Sequence, residues 1–448
     1  MTAREAGRRH MKLLLLMPGG QPHKLQVGPW ARSFREAPLT LTTLAALVPP
    51  ELNASLRLVD ASIEPVPLRE SFDLVAISCM TGTSARAYAL ADHFRAQGVT
   101  VVLGGVHVTL RPEEARRHAD AIVRGFAERT WPQLLRDFAA GQLQPEYFAQ
   151  TADLAGLPDP RRDLQHAWAY MVPNTVFATR GCQSACDFCS VPAAGFGWHT
   201  RPVPDVIDEI RRLPGRRFAF NDVSLNEDPD YARELFTALT PLKKSWGGLA
   251  TTRIADDEEL LDLMTASGCQ FLLLGFESVG QGNLDRMGKR FNQAGSYARV
   301  ADALHRRGII IQGCFIFGLD EDTPDIFAET VAAVNDLRID IPRYALYTPY
   351  PGTRAFERLK REGRLLHEHW EHYDTQHVVI RPQQMTPEEL DAGFIRAYRD
   401  TFSLTSIWRR TSGARHAAIA FVGNLAYRRY VHRLEHDRAR IHQPAATH

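Results

Sequence analysis

Short apolar runs alternate with helix-like segments over most of the chain, and this alternation restricts the possible folds more than any other feature. In the first part the apolar runs are KLLLLM, LRLVD, DLVAIS, VTVVLGG and DAIVRG. Runs this rich in Leu, Ile and Val are typical of strands buried on both faces of a parallel sheet. A helix-like segment from Ala85 to Gln97 ends at Gly98, a common helix stop. Residues 11–150 are therefore predicted to form an open, doubly wound, Rossmann-like α/β domain.

A second alternating series begins after residues 151–170, a predicted linker that contains the sequence LAGLPDPRR. Its apolar runs are TVFATR, RFAFND, WGGLATTR, CQFLLLGFE, IIIQGCFIFG and PRYALYTP, with helix-like segments such as Thr323 to Leu337 between them. Six strand–helix units predict a partial (β/α)₆ barrel over residues 171–362 rather than a closed eight-stranded barrel. The strand signal then stops, and a capping box that begins at Thr386 predicts a small, mainly helical region over residues 363–448.

The composition excludes several classes of protein. Lysine and arginine number 53 against 52 aspartate and glutamate, a net charge of +1, whereas bulk nucleic-acid binding needs a basic surface. Six cysteines are too few for a disulfide scaffold in a chain of this length. No apolar stretch approaches the roughly 18 residues of a membrane span, and the first residues lack the cleavage site of a signal peptide. We therefore expect a cytoplasmic protein that binds no nucleic acid and has no integral membrane span.

Three of the cysteines, Cys182, Cys186 and Cys189, lie together in the sequence TRGCQSACDFCSV, directly after a predicted strand. Three thiolates at this spacing can hold three irons of a [4Fe–4S] cube and leave the fourth iron open to a small ligand. The alternatives are a zinc site with His199 or Cys269 as the fourth ligand, or three core cysteines brought together by chance. Zinc sites usually show paired CxxC halves, and the sequence contains no second half.

With Phe188 before the last cysteine, this motif resembles the signature of the radical S-adenosylmethionine enzymes. The resemblance extends over roughly 200 residues and includes Arg180-Gly181, Gly195-Phe196-Gly197, Arg201-Pro202, FNDVSLN, GFES, GCFIFGLDEDT and YPGT. It implies a [4Fe–4S] cluster that reduces bound S-adenosylmethionine to methionine and a 5′-deoxyadenosyl radical. That radical abstracts hydrogen from an unactivated carbon, a step whose chemistry belongs to the cofactor.

The resemblance also implies where S-adenosylmethionine binds, because polar side chains at strand ends face the mouth of such a barrel. The candidates are Asp222, Ser224, Arg253 and Glu277. Arg253 would suit the carboxylate of the ligand, and Glu277 its ammonium or ribose. The alternative is that Arg253 and Glu277 form an internal ion pair that supports the barrel.

The first domain resembles the cobalamin-binding domains that precede many radical S-adenosylmethionine barrels. The resemblance rests on Ser78-Cys-Met-Thr81, on Gly104-Gly105 and on the turn from Arg124-Gly125 to Glu128, all at predicted strand ends. Small and hydroxyl side chains there would let the dimethylbenzimidazole tail of cobalamin lie beside the sheet. The candidate contacts are therefore Ser78, Thr81, Thr83, Gly104 and Gly105. The alternative for the two glycines is an ordinary tight turn between strand and helix.

One departure from those domains concerns the cobalt ligand. Their usual Asp-x-His-x-x-Gly motif after the first strand is replaced here by PGGQPHKLQVGPW, which contains only His23. We therefore predict that the cobalt has no histidine ligand from the protein, although His23 stays a candidate. A domain that no longer binds cobalamin is the other reading of this departure.

Taken together, the resemblances imply a cobalamin-dependent radical S-adenosylmethionine methyltransferase that methylates an unactivated carbon through methylcobalamin and the 5′-deoxyadenosyl radical. The alternative is a related oxidoreductase, cyclase or rearrangement enzyme without methyl transfer. An RNA methylthiotransferase is excluded because this N-terminal domain has only Cys79, and a non-catalytic corrinoid sensor would not need the three clustered cysteines. The expected partners are a small-molecule substrate, such as a lipid, tetrapyrrole or natural-product scaffold, and an external electron donor such as flavodoxin or ferredoxin. The arginine-rich C-terminal segment is expected to pack on the barrel as an amphipathic helix, with binding to a membrane surface as the alternative.

Overall fold

The fold is taken from a computed structural model, which describes residues 10–19, 24–27, 30–412 and 417–441. The strands are β1 (Met11–Met17), β2 (Lys24–Val27), β3 (Trp30–Glu36), β4 (Ala54–Asp60), β5 (Leu74–Ser78), β6 (Thr100–Gly104), β7 (Ala121–Gly125), β8 (Glu146–Ala149), β9 (Tyr170–Val172), β10 (Thr175–Val176), β11 (Thr179–Gly181), β12 (Trp198–Thr200), β13 (Arg217–Phe220), β14 (Ser245–Ala250), β15 (Cys269–Glu277), β16 (Ile310–Phe317) and β17 (Ile341–Leu346).

The α-helices lie mostly between these strands. They are α1 (Thr40–Ala46), α2 (Ser84–Ala96), α3 (Val106–Leu110), α4 (Pro112–Ala115), α5 (Thr130–Ala139), α6 (Ser190–Ala193), α7 (Val203–Arg212), α8 (Pro229–Leu239), α9 (Glu258–Ala266), α10 (Gln281–Arg286), α11 (Tyr297–Arg306), α12 (Ile326–Asp336), α13 (Arg354–Arg361), α14 (Pro387–Thr401), α15 (Leu404–Thr411) and α16 (Ala417–Ile441).

The first six-stranded sheet, here called the N-terminal sheet, has the strand order β4-β1-β5-β6-β7-β8, and every neighbouring pair is parallel. Helix α2 packs on one face through Ala87, Ala91 and Phe94. Helices α1 and α5 cover the other face, where Trp131 is fully buried. The five predicted strands and the doubly wound fold are confirmed, and β8 adds a sixth strand at the edge.

The second six-stranded sheet, here called the barrel sheet, has the sequential order β10-β13-β14-β15-β16-β17, again with all neighbours parallel. It confirms the partial barrel expected from the sequence. One face packs against the surrounding helices, as when Phe276 contacts Tyr297 of α11 and Tyr344 contacts Tyr398 of α14. The opposite face, the inner face of the barrel, is only half-buried, at Leu249, Leu273, Gly275, Gln312, Cys314, Ile316, Arg343 and Ala345. The barrel is therefore not filled by its own side chains.

Two features differ from the sequence-based expectations, and a third agrees with them. Strands β2, β3 and β9 form a small third sheet, and β9 begins at Tyr170, the last residue of the predicted linker. Helix α12 begins at Ile326 rather than at Thr323, because Thr323 and Pro324 belong to a turn in which the Ile326 amide donates to the Thr323 carbonyl. The capping box at Thr386 does begin α14, with reciprocal bonds between Thr386 and Glu389.

The C-terminal helices pack on the barrel, as the sequence predicts. The guanidinium of Arg410 is buried and donates to the carbonyls of Ile339 and Thr401 and to the Asn424 side chain at 2.8 to 3.0 Å. Several apolar side chains of α15 and α16 point outward, including Trp408 and Val422. Within the described ranges, no helix has the length and apolar character that crossing a bilayer requires.

Candidate active site

The loop that carries the three cysteines is closed at its base by two short strands. Strands β11 and β12 pair antiparallel, and the Cys182 amide donates to the Gly197 carbonyl at 2.9 Å. Gly181 has a φ of +83°, and a Cβ there would collide with that same carbonyl. The pattern Arg180-Gly181 before the cysteines therefore has a physical cause, since only glycine lets the two ends of the loop approach this closely.

Two backbone bonds fix the middle of this loop to the barrel. The Asp187 amide donates to the Met287 carbonyl at 3.0 Å, and the Asp187 carbonyl accepts from the Ala355 amide at 3.1 Å. Phe188 packs against the barrel core between the second and third cysteines. The loop is thereby held beside the segments that follow β15 and β17, at the carboxyl ends of the barrel strands.

The three cysteine thiols are free, half-buried and close enough to influence one another. Burial raises the pKa of the Cys186 thiol to about 12, and the positive charge of Lys289 opposes the rise. Burial likewise raises the pKa of Cys182, to which Glu227 adds a negative charge, with the Cys182 thiol 3.4 Å from Glu227 Oε1. Thiols in such a site need a bound cation to become thiolates, and a cluster of iron supplies that charge.

The donor set fits an iron–sulfur cube better than a single ion. Among the residues that the structure describes, no three His, Cys, Asp or Glu side chains converge on a single-ion site. His199 Nε2 lies 3.1 Å from the Phe196 carbonyl, and Cys269 is buried in β15, so neither serves as a fourth zinc ligand here. Cysteines that each bind a different iron of a cube do not have to meet at one point.

Asp222 and Ser224 lie at the carboxyl end of β13, as expected, but both already have protein partners. The Asp222 carboxylate accepts from the amides of Ala178 and Thr179 and, at 2.7 Å, from the Thr179 hydroxyl. Burial raises the pKa of Asp222 to about 6, and these hydrogen bonds oppose the rise. The Ser224 hydroxyl lies 3.2 Å from Asn226 Oδ1. In this structure Asp222 positions the strand that leads into the cysteine loop.

Glu277 and Arg253 are not paired with each other, so the alternative of an ion pair between them is wrong. Glu277 forms a buried ion pair with Lys289 instead. It lies at a bulge of β15 with a φ of 66°, and a Cβ on Gly275 would overlap the pair. The exposed Arg253 stacks on Phe291, with its Cζ 4.6 Å from the ring centroid. Burial lowers the pKa of Lys289, but Glu277 more than offsets this effect and leaves the pKa above its ordinary value.

A cavity of about 350 Å³ lies between the N-terminal sheet and the cysteine loop. On one side it is bordered by Ser78, Gly104 and Gly105 at the carboxyl ends of β5 and β6. On the other side it is bordered by the cysteine-loop strand β11 and by helix α6, which follows Cys189. The sequence-predicted positions Ser78, Gly104 and Gly105 and the cysteine loop thus face one common space.

The other two predicted cobalamin contacts lie away from this cavity. The Thr81 hydroxyl is 3.2 Å from Nδ1 of the buried His107, and the Thr83 hydroxyl bonds the backbone of Met80 at the start of a helical turn. His107 also lies 3.5 Å from Glu114, which accepts a hydrogen bond from Trp370 at 3.0 Å. Thr81 is thereby connected through His107 and Glu114 to Trp370 of the C-terminal region, whereas Thr83 stabilises the local turn. His23 lies outside the described residues.

The walls of the cavity fit a ligand with hydrogen-bonding groups. Three residues that line it, Thr43, Glu128 and Arg180, each have one buried polar side-chain atom without a hydrogen-bond partner among the described residues, while other atoms of Glu128 and Arg180 pair with each other at 3.6 Å. Buried polar atoms are normally paired, so these atoms indicate a missing ligand. The cavity is too small for a whole corrin cofactor but suits its nucleotide tail. These observations match cobalamin, whose tail carries amide, phosphate and ribose groups.

Two family models match the chain in the same order as the two sheets. The B12 binding domain matches residues 13–135, and the radical SAM superfamily matches residues 176–334. The chain is 31% identical over 415 residues to bacteriochlorophyllide d C-12(1)-methyltransferase of Chlorobaculum tepidum, covering 90% of each chain. Bacteriochlorophyllide d C-8(2)-methyltransferase of the same organism is 27% identical over 418 residues, covering 88% of this chain and 91% of the relative.

Among solved structures, radical S-adenosylmethionine methyltransferase TsrM from Kitasatospora setae, with cobalamin and a [4Fe–4S] cluster bound, has a TM-score of 0.65. It is 15% identical, and the match covers 96% of this chain and all of that one, so it supports the fold. The fold and the cysteine loop thus define a cobalamin-binding radical S-adenosylmethionine enzyme. The chain belongs to the family of cobalamin-dependent radical S-adenosylmethionine methyltransferases, whose cofactors are cobalamin, a [4Fe–4S] cluster and S-adenosylmethionine.

Proposed function

We propose that this chain transfers a methyl group to an unactivated carbon of a small-molecule substrate. The observation that carries the proposal is the cavity shared by the strand ends of the N-terminal sheet and the cysteine loop. A methyl donor on one side and a radical generator on the other must act on the same substrate carbon, so their sites have to face each other. When bound, the cluster and S-adenosylmethionine supply the radical, and cobalamin supplies the methyl group.

We assign the following roles to individual residues. Cys182, Cys186 and Cys189 hold the cluster, and Phe188 packs the loop against the barrel. Ser78, Gly104 and Gly105 border the tail of cobalamin. Asp222 and the Glu277–Lys289 ion pair stabilise the backbone at the cluster end of the barrel. Arg253 and Ser224 stay candidates for contact with S-adenosylmethionine.

We propose a tetrapyrrole as the first substrate class to test. Two relatives that match about nine-tenths of the chain are named for methylation of bacteriochlorophyllide d. The half-filled inner face of the barrel leaves room for part of a large substrate. Leu249, Leu273 and Ile316 give this space an apolar lining suited to a planar ring system.

The test is a reconstituted reaction under anaerobic conditions. The holoenzyme is supplied with bacteriochlorophyllide d, a chemical reductant and S-adenosylmethionine that carries a deuterated methyl group. We expect a product in which one CD₃ group replaces one hydrogen, with one S-adenosylhomocysteine and one 5′-deoxyadenosine formed per product. Mass spectrometry of the pigment and chromatography of the nucleosides measure these quantities.

Other outcomes are equally informative. A changed pigment formed with 5′-deoxyadenosine but without S-adenosylhomocysteine would replace methyl transfer with a ring-forming or oxidising reaction. An unchanged pigment, together with methylation of a lipid or an aromatic amino acid under the same conditions, would retain methyl transfer and exclude the tetrapyrrole. A control variant, Glu388→Gln on the exposed start of α14, should behave like the wild type.

A further inference from the structure

Arg343 lies on the inner face of the barrel, below the cysteine loop. It is in β17 and pairs in register with Cys314 of β16, which pairs in turn with Gly275 of β15. Leu346 ends β17 three residues later. At about 3.3 Å per strand residue, Arg343 is therefore about 10 Å inside the barrel, measured from the strand ends where the cysteines lie.

Arg343 has no partner among the described residues. No carboxylate lies within ion-pair distance, no hydrogen bond forms at its guanidinium, and no aromatic ring stacks on it within that part of the chain. Its strongest electrostatic neighbours are Tyr427, Cys314, Tyr398 and Tyr430, and no aspartate or glutamate is among them. The side chain is surrounded by protein yet remains partly accessible, which places it on an internal space.

Arg410 shows what a structural arginine looks like in the same region. Its guanidinium, 1% exposed, donates to the carbonyls of Ile339, Asp340 and Thr401 and to the side chain of Asn424. Burying a charged group is unfavourable unless it is paired or fully hydrogen-bonded. Arg410 meets this requirement within the protein, whereas Arg343 meets it only when something else enters the barrel.

Arg343 lies on the same inner face of the barrel as Cys314 and Gly275, which lead toward the cluster end. The charges of Arg343, Glu277 and Lys289 all influence the pKa of the Cys314 thiol. The charge of Lys289 also lowers the pKa of the Cys186 and Cys189 thiols. At the opposite end the helix α16 closes the barrel. Gln312 Nε2 donates to the Tyr427 hydroxyl at 3.0 Å, and Gly423 approaches Ile341 closely. A ligand that reaches Arg343 would therefore have to enter from the mouth, because α16 covers the opposite end.

We propose that Arg343 binds a carboxylate of the substrate and thereby fixes the depth and orientation at which the substrate enters the barrel. This inference rests on the proposed function, in which the barrel interior is the substrate site. A planar guanidinium pairs with a carboxylate through two parallel hydrogen bonds, which sets direction as well as affinity. The methionine carboxylate of S-adenosylmethionine is not the ligand meant here, because it would be held near the cysteines, about 10 Å away along the strand.

The first test does not depend on the identity of the substrate. Crystals of the holoenzyme are soaked in acetate, for the wild type and for Arg343→Met. We expect acetate with both oxygens on the Arg343 guanidinium in the wild type and none at that position in the variant. A wild-type structure without an anion on Arg343, or with the guanidinium paired to a carboxylate of the chain, overturns the proposal. Iron and cobalt contents are measured first, so that a misfolded variant is recognised.

The second test uses bacteriochlorophyllide d, whose propionate is free, and its methyl ester as probes. The wild type should bind the free acid about 10- to 100-fold more tightly than the ester, since hydrogen bonds between charged groups are worth this factor. Arg343→Met should bind both probes equally, and Arg343→Lys should restore part of the preference. The exposed Arg409 provides a matched control, and Arg409→Met should retain the full preference.

The two tests separate the two proposals. Acetate on Arg343 together with an unmethylated chlorin would keep the anion site and reject the tetrapyrrole. Methylation of the chlorin with no acetate on Arg343, and with equal binding of acid and ester by the wild type, would keep the function and reject the anion site. Loss of substrate-free formation of 5′-deoxyadenosine in Arg343→Met, with that reaction retained in Arg409→Met, would assign Arg343 to S-adenosylmethionine instead.

Discussion

The N-terminal sheet and the barrel sheet each have six parallel strands, but their strands are buried in different patterns. In β5 four consecutive residues are buried and only Ser78, at the carboxyl end, is not. In β14, β16 and β17 buried and half-buried residues alternate along much of the strand. The N-terminal sheet is covered by helices on both faces, whereas the barrel sheet is covered on one face and open on the other.

This difference decides where each sheet can bind a ligand. A sheet that is covered on both faces can bind a ligand only at the ends of its strands. The cavity of the N-terminal sheet accordingly lies at the strand ends around Gly104 and Gly105. A sheet with an open inner face can take a ligand inside, as proposed for Arg343. Under these proposals, one chain would hold two ligands of different kinds with two sheets of the same strand number and direction.

The largest expected effect would show that the two sheets bind their cofactors independently. It is the loss of the iron–sulfur cluster with cobalamin retained. Cys186→Ala should lower the iron content from about four per chain to near zero, because three cysteines are needed to hold the cube. Formation of 5′-deoxyadenosine should fall by at least about a thousandfold. Cobalamin content should not change, since its cavity borders other residues of the loop. Iron and cobalt analyses by mass spectrometry check both statements.

Cys269→Ala is the matched control for this variant. Cys269 is a buried core cysteine of β15, and its replacement should leave iron at the wild-type level. A fall in iron in Cys269→Ala, as large as in Cys186→Ala, would show that Cys269 also binds the cluster.

The next largest effect concerns the ion pair near the open face of the barrel. Lys289→Met leaves the Glu277 carboxylate buried without a partner, which should lower the free energy of unfolding by about 3 to 5 kcal/mol. The double variant Glu277→Gln, Lys289→Met should recover part of that loss. Chemical unfolding monitored by circular dichroism measures both changes.

The matched control is an ion pair on the protein surface. Lys360 and Glu368 pair at 2.6 Å with both side chains substantially exposed, and Lys360→Met should change stability by less than about 1 kcal/mol. Equal effects of Lys289→Met and Lys360→Met would contradict a buried pair at the barrel.

A smaller effect is expected at the cavity beside the strand ends of the N-terminal sheet. Gly105 has a φ of +102°, and a Cβ there would lie 2.5 Å from the Cys79 carbonyl oxygen and 2.9 Å from its amide nitrogen. Gly105→Ala should therefore displace the turn and weaken cobalamin binding by about 10- to 100-fold, or about 1.4 to 2.7 kcal/mol. Cobalamin retained after gel filtration is the readout, with iron unchanged.

Gly98 provides the control for backbone strain. It has a φ of +77° with nothing within 4 Å of an added Cβ, so Gly98→Ala carries a similar backbone penalty without crowding. Cobalamin should be retained in Gly98→Ala. Equal loss in the two variants would trace the effect to general instability instead of to the cavity.

The last effect is a dependence on pH at the loop after β16. Burial raises the pKa of Asp322 to about 7 from an ordinary value of 3.8, and the amides of Leu319 and Gly318 oppose the rise. The folded state thus binds this proton more tightly than the unfolded state. Stability should fall as pH rises from about 4 to about 7, by at most about 1.4 kcal/mol per pH unit, and then level off.

Asp322→Asn removes the titrating group and should flatten this part of the stability curve. The exposed Asp325 lies three residues away, and Asp325→Asn should leave the slope unchanged. Urea unfolding at a series of pH values makes the comparison, and a slope that persists in Asp322→Asn would contradict the assignment.

The sequence predicted those parts of the fold that depend on local composition. Buried parallel strands such as LLLLM and LVAI are apolar throughout, and Gly105 and Gly181 occur where the backbone is crowded. The cysteine loop was predictable because its three ligands are close together in the chain. The third sheet was not, because β3 is not continuously apolar, β9 is short, and the two strands come from distant parts of the chain.

Long-range partners explain what else was missed at the site. Lys289 lies in the sequence MGKR, which matches no known motif. Its ion pair with Glu277 depends on the bulge of β15, which the sequence does not predict. Thr81 looks like a ligand contact in sequence, but its hydroxyl faces His107. The open inner face was also hidden, since Leu249 and Leu273 are as apolar as the residues that face the helices. Glu227, beside Cys182, could have been found by asking which acids follow the predicted strand end at Asp222.

The unfilled interior of the barrel has a consequence for thermal behaviour. Side chains that border unfilled space lack the dispersion contacts of a packed core. The substrate-free enzyme therefore has a lower free energy of unfolding than a fully packed barrel would have. A substrate that fills the space binds the folded chain and not the unfolded one, and at 100 times its Kd it adds about 2.7 kcal/mol to the free energy of unfolding. A substrate bound in this space would complete the hydrophobic core of the barrel. The enzyme would then be more resistant to heat with substrate bound than without it.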